Sequence, residues 1–370
     1  MLSLRDFWRR HRRKIFVTAG VLGSGYLLHK LYNAHRQRLA VLERELESER
    51  QNDELIKAQM QAHFDSIQKI ADSTTLPHAM RYLNSRIMEE LDVYHLMERL
   101  MKGKDQPNPL TSAEKIYLWD KLKILSFTRM VLSLWSMTIL NLYIRVQVNI
   151  LGRHLYINTA RDLGSSQLLE DPDLIDRDSQ QKFLESADFL PAYGLPALKS
   201  NMQVAAKEVL QRKQLRDFFK TTDLSETIMQ ILGTFMSTKG PHNWLDYLMP
   251  EDARLQTLAT ASNNDTTVFS DVTEFDQLMA ETRAVLTSAE FGSIAEMALK
   301  AVVDAVVKEM EIQSGEGNLG TPLARLIPRV TKMGPELLEE PSKNQFIQVI
   351  RNVPEVELFF TLLYSNMPFS

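Results

Sequence analysis

The chain has 370 residues, 44% hydrophobic and 24% charged with only 14 Gly and 14 Pro, so it reads as one large or two ordinary globular domains rich in helix. It contains no cysteine, which excludes a disulfide scaffold, a thiol nucleophile and any Cys-ligated zinc or iron–sulfur centre. The net charge of −4 is uneven: residues 1–38 hold nine Lys/Arg against the single acid Asp6, a net +8 that leaves −12 on the rest, and so acidic a body argues against general nucleic-acid binding and for a head that meets a membrane.

The head begins "RDFWRRHRRKIFVTAGVLGSGYLLHKLY". Ile15 to Leu28 are uncharged, and the apolar run reaches about 17 residues, the lower limit of a span, only if it extends through Tyr32 with His29 and Lys30 snorkelling. Phe7, Trp8, Tyr26 and Tyr32 suit interfacial positions. A signal peptide would need a small-residue cleavage site, and a mitochondrial presequence would be less apolar. The expectation is a basic head over 1–14, a transmembrane anchor over 15–32, a polar helical stalk over 33–54 and a helical domain over 55–370. Within the stalk, "ESERQNDE" (47–54) is wholly polar, and an apolar stripe resumes at Leu55, Ile56, Met60, Phe64, Ile67 and Ile70.

Residues 76–100 read as helix, and "KGKDQPNPLTSAEK" breaks the pattern. Thr111 or Ser112 is placed to cap the next helix. In that helix Trp119 has Lys115 and Lys123 one turn away on either side, with Ser126 at i+7, so the indole stands on a polar strip. Either it is a core residue passed by snorkelling lysines, or it is an exposed anchor for a partner. Leu118, Leu122 and Leu125 show that the helix also packs inward. Met130 to Ile144 then runs fifteen residues without a charge. At about 1.5 Å per residue it falls short of a bilayer, and Ser133, Ser136, Thr138 and Asn141 interrupt it, so a central helix buried on all sides is expected. Helical patterns follow near 183–190, 196–219, 222–236, 270–287 and 291–312. Pro328, Pro335, Pro341 and Pro354 predict short helices at the end. Few strands and no internal repeat are expected.

The search for chemistry finds little. There is no nucleotide loop, no H-E-x-x-H and no nucleophile elbow. The eight histidines are scattered, none at i, i+4 from another. Asp171 and Asp173 in "EDPDLIDRD" read as an acidic solvated loop, with a divalent-ion site as the alternative. No catalytic residue, metal or cofactor is predicted, and the expectation is not an enzyme.

At "LWDKLKILSFTR" and the following "LYIRVQVNILGRHLYI" the sequence resembles the peroxin-3 family of peroxisomal biogenesis factors, and within it a plant member. The resemblance spans the chain, taking in "WRRHRRKIFVTAGVLGSGYLL", "YLMPED" and "LARLIPRV". It implies an all-α protein, an elongated cytosolic helical bundle with one N-terminal membrane anchor helix. It also implies a docking receptor in the peroxisomal membrane, single-pass with the body in the cytosol, for peroxin-19 carrying newly made membrane proteins. An amphipathic helix at the peroxin-19 N-terminus would lie in an apolar groove. The family's groove tryptophan falls on Trp119 and its lysine on Lys115. The upstream groove leucine falls near Leu100 or Met101, and Leu155 is a further assignment. Leu122, at i+3 from the indole, is grouped with them.

Arg9, Arg10, Arg12, Arg13 and Lys14 would belong to the membrane-targeting signal. The positive-inside rule would keep them in the cytosol, whereas the family resemblance implies an N-terminus in the peroxisomal matrix; the family orientation is the one expected. Two other functions compete: a membrane-anchored tether for other organelle adaptors in inheritance or turnover, and a lipid-handling or hydrolytic enzyme.

Overall fold

The computed structural model describes scattered positions from 44 to 59 and residues 61–102, 111–164, 177–237, 243–250, 274–314 and 320–365. The basic head and the expected anchor at 15–32 lie outside the described residues. The chain divides into two compact units, Met1–His63 and Phe64–Ser370. In the first, every described residue is helical.

The second unit is built around one helix. Helix 64–70 runs through a wider turn at Ala71–Thr75 into α1 (Leu76–Glu90), and α2 (Tyr94–Lys102) follows. The central element is α3 (Ser112–Gly164), 53 residues and about 80 Å of helix. Around it stand α4 (Arg177–Glu185), α5 (Leu195–Leu210), α6 (Thr221–Ser237), α7 (Glu274–Leu286), α8 (Ala289–Ser314), α9 (Leu323–Leu337), α10 (Gln345–Arg351) and α11 (Pro354–Ser365). All of these α-helices touch α3, and α9 does so most extensively. The described residues are thus all-α, apart from a two-stranded antiparallel ribbon of β1 (Phe218–Phe219) and β2 (Thr321–Pro322).

Sequence explains where α3 starts and why it sits in the middle. Thr111 and Glu114 form a reciprocal cap: Thr111 N–H donates to Glu114 Oε2 at 2.8 Å, and Glu114 N–H donates to Thr111 Oγ1 at 3.3 Å. The Thr111 N–H and Oγ1, both donating to Glu114 Oε2, hold the Glu114 carboxyl below its ordinary pKa. Met130 to Ile144 are each no more than 1% exposed. By length and composition Ser112–Leu155 could cross a membrane, but its most apolar stretch is wholly buried, as a core helix requires. Within the stretch Thr138 Oγ1 donates to the Leu134 carbonyl at 2.8 Å, and just beyond it Gln147 Nε2 donates across to the Phe183 carbonyl at 2.6 Å, whereas Ser133, Ser136 and Asn141 are buried without a side-chain hydrogen-bond partner. Trp135 meets Phe235 edge-on at 5.5 Å.

Two local expectations change. The helix expected over 196–219 stops at Leu210. The chain then turns, with Asp217 Oδ2 accepting from Gln214 N–H at 2.7 Å, and enters β1. The C-terminal prolines do not all make short helices: α9 runs through both Pro328 and Pro335. Neither proline is among its buried residues, and eight other residues, including Leu326, Ile327, Val330 and Leu337, are buried. That burial outweighs the missing N–H donors.

Candidate partner-docking site

At the N-terminal end of α3, Val93, Leu96, Leu118, Leu122 and Ile327 form a buried apolar floor. Met97, Leu100, Trp119, Leu125 and Leu215 pack against it while remaining partly exposed. Three separate pieces of chain supply the cluster besides α3: α2, α9 and the turn after α5. Trp119 therefore lies neither in the sealed core nor free in solvent. Its side chain packs against the cluster, and Ile116, at i−3 on the same side of the helix, is 59% exposed.

The polar strip divides once the structure is seen. Lys115 is half-buried at the rim. Lys123 is 4% exposed; its Nζ donates to the Lys213 carbonyl at 2.7 Å and lies 3.1 Å from Asp120 Oδ1. Ser126 is buried and hydrogen-bonded to Thr331 Oγ1 at 2.7 Å. Lys123 thus ties the turn carrying Leu215 to α3, and Ser126 ties α9 to it.

Further along α3, Arg129 meets the end of α1 and the start of α2. It is 1% exposed, contacts Met88 Sδ and stacks its guanidinium over the Tyr94 ring at 5.3 Å. Burial lowers its pKa, with Tyr94 and Asp92 opposing that shift. Asp92 Oδ1 in turn accepts from Tyr94 N–H at 3.1 Å and His95 N–H at 3.3 Å, starting α2. Gly334 leaves room for the arginine: a Cβ there would stand 3.2 Å from Arg129 Cγ.

The sequence-predicted residues are partly assembled. Trp119, Leu122 and Leu100 share the cluster and Lys115 stands beside it, but Leu122 is 1% exposed and forms floor rather than surface. The side chain of Met101 lies outside the described residues. Leu155 is half-buried about 54 Å along α3 from Trp119 and is not brought to this cluster. Arg9, Arg10, Arg12, Arg13 and Lys14 also lie outside the described residues. Sequence reasoning missed Met97, Leu215 and Ile327, and read Leu125 only as an inward-packing residue. Met97 could have been found from the apolar spacing of Leu96, Met97 and Leu100. Leu215 could not, because its contact depends on a turn that propensity reads as helix.

A second concavity, a cleft of about 560 Å³, lies where α1 faces α4. His78 Nδ1 and Asp188 Oδ1 stand 3.8 Å apart on its wall, with Thr74, Thr75 and Leu184 beside them, and burial raises the Asp188 pKa.

A family model described as Peroxin-3 matches residues 6–113 and 104–366. Peroxisome biogenesis proteins 3-2 and 3-1 of Arabidopsis thaliana are each 60% identical to the chain, with 99% of both sequences covered in each comparison. Peroxisomal biogenesis factor 3 of Homo sapiens is 25% identical, covering 98% of this chain and 96% of the human protein.

Proposed function

Because the chain belongs to the Peroxin-3 family, in its plant form, we propose that it acts in peroxisome biogenesis as the membrane docking receptor for peroxin-19 and its membrane-protein cargo. The observation that carries this reading is the half-buried indole of Trp119, seated on an apolar floor and flanked by Lys115. An amphipathic helix recognised in a groove needs such a surface: apolar anchors at i, i+3, i+4 and i+7 on one side, and charges along the edge. The indole would supply a large rigid contact, and Met97, Leu100, Leu125 and Leu215 would surround it and exclude water. Lys115 would meet a carboxylate on the incoming helix. A biogenesis factor of this kind works by binding, and the family names speak for that role rather than for catalysis.

The proposed location is the peroxisomal membrane. The apolar run at 15–32 is its single anchor, with Arg9, Arg10, Arg12, Arg13 and Lys14 in the targeting signal and the 55–370 domain facing the cytosol. The long helix α3 does not compete for the anchor's role, since its apolar stretch is already covered by protein. Co-expression with tagged peroxin-19 tests the docking reading. The full chain, solubilised in detergent, is expected to co-elute with peroxin-19 in size-exclusion chromatography, and separate elution at micromolar concentrations would contradict it.

A further inference from the structure

The turn and strand after α5, "QRKQLRDFFK" (211–220), carry Arg212, Lys213, Arg216 and Lys220 against one acid, Asp217. That net +3 in ten residues lies on a chain that carries −12 beyond residue 38. What sets this basic decapeptide apart is its geometry, which gives its charge a direction. Arg216 in the turn, Phe218 in β1 and Lys220 just after it are all exposed, Phe218 to 67%. Leu215, Asp217 and Phe219 turn the other way: Phe219 is 6% exposed, and Leu215 packs into the cluster that seats Trp119.

The stretch is also held in place. Its backbone pairs with β2, Leu323 N–H donates to the Asp217 carbonyl and Ala324 N–H to the Leu215 carbonyl, both at 2.9 Å. Lys123 Nζ binds the Lys213 carbonyl at 2.7 Å. Arg216 Nε donates to Gln214 Oε1 at 2.8 Å. Asp217 is engaged by the Gln214 N–H, which leaves the outward face cationic with an aromatic at its centre.

We infer that Arg212, Arg216, Phe218 and Lys220 form a second contact surface, continuous with the Trp119 cluster through Leu215, for an acidic segment flanking the docked amphipathic helix. The inference rests on the docking reading. Its occupant is the partner's own chain rather than a lipid surface, because the patch adjoins the cluster where that chain would be seated. Carboxylates would pair with the two arginines and the lysine, and an apolar side chain between them would cover Phe218. Charges at a rim act mainly on the association rate and lose force as salt rises.

The test uses the full chain in nanodiscs of neutral phosphatidylcholine, with two probes: full-length peroxin-19 and a peptide restricted to its N-terminal amphipathic helix. Arg212→Glu, Arg216→Glu and Lys220→Glu together are expected to weaken full-length binding about tenfold at low salt. They should flatten its salt dependence and leave the short peptide nearly unaffected. Phe218→Ser alone should weaken full-length binding more than peptide binding. An unchanged affinity and salt slope for full-length peroxin-19 would overturn the inference. So would a charge-reversal variant that loses only its association with phosphatidylserine vesicles, which would make the patch a membrane contact. Trp119→Ala is read separately: if it leaves both probes bound as before, the docking reading falls and the inference with it.

Discussion

Lys115 and Lys123 stand one helical turn either side of Trp119, yet they are different kinds of residue. Lys115 sits at the rim, where an ion pair contributes about 0.2–1 kcal/mol and is screened by salt. Lys115→Ala should therefore leave the melting curve unchanged and weaken peroxin-19 binding slightly, with the difference vanishing in high salt. Lys123 is buried and satisfies the Lys213 carbonyl. Lys123→Ala leaves that carbonyl without its donor, a loss of about 1–3 kcal/mol that denaturant unfolding should reveal. The sequence placed both lysines on one polar strip and could not separate them, because the distinction lies in a turn 90 residues further on. Trp119 was legible as an anomaly and as a position matched by the family resemblance. That it is half-buried, and which side chains surround it, depended on elements meeting from three distant parts of the chain.

Among the elements, α3 was the most legible, since an uncharged run too short for a bilayer and interrupted by small polar residues describes a helix with protein on every side. Leu134 is 0% exposed within it. Leu134→Asp would bury an unpaired carboxylate, should cost several kcal/mol, and should drive the protein into aggregates on expression; normal melting would place the segment outside the core. The close approach near the start of α5 was not legible. Gly194 has ordinary helical φ of −74°, but a Cβ added there would collide with the backbone carbonyl of Tyr247. Gly194→Ala is thus expected to lower the melting midpoint by far more than Gly233→Ala, where a Cβ would meet nothing within 4 Å. The helix expected over 196–219 ended early for a related reason. Nothing in "QRKQLRDFFK" breaks a helix locally, and pairing with β2 together with the Lys123 bond decides the outcome.

At the scale of the whole molecule, the proposed receptor has an anchor, a stalk and a helical body, and the half-open apolar cluster around Trp119 receives a helix. Removal of residues 1–38 should release the body from membranes in alkaline extraction, and retention of the truncated protein would mean that another segment inserts. The docking claim meets its most direct test in a titration of a fluorescent peroxin-19 N-terminal peptide against the full chain and its Trp119→Ala variant, with melting curves in parallel. An aromatic anchor at the centre of a groove contributes at least about 2 kcal/mol, so the variant should bind about thirtyfold more weakly or worse. Because the indole is only half-buried, its loss should cost much less stability than the roughly 3–5 kcal/mol of a core tryptophan. Weakened binding with a nearly preserved melting curve is the predicted result. Undiminished binding, or weakened binding matched by a collapse in stability, would contradict the account.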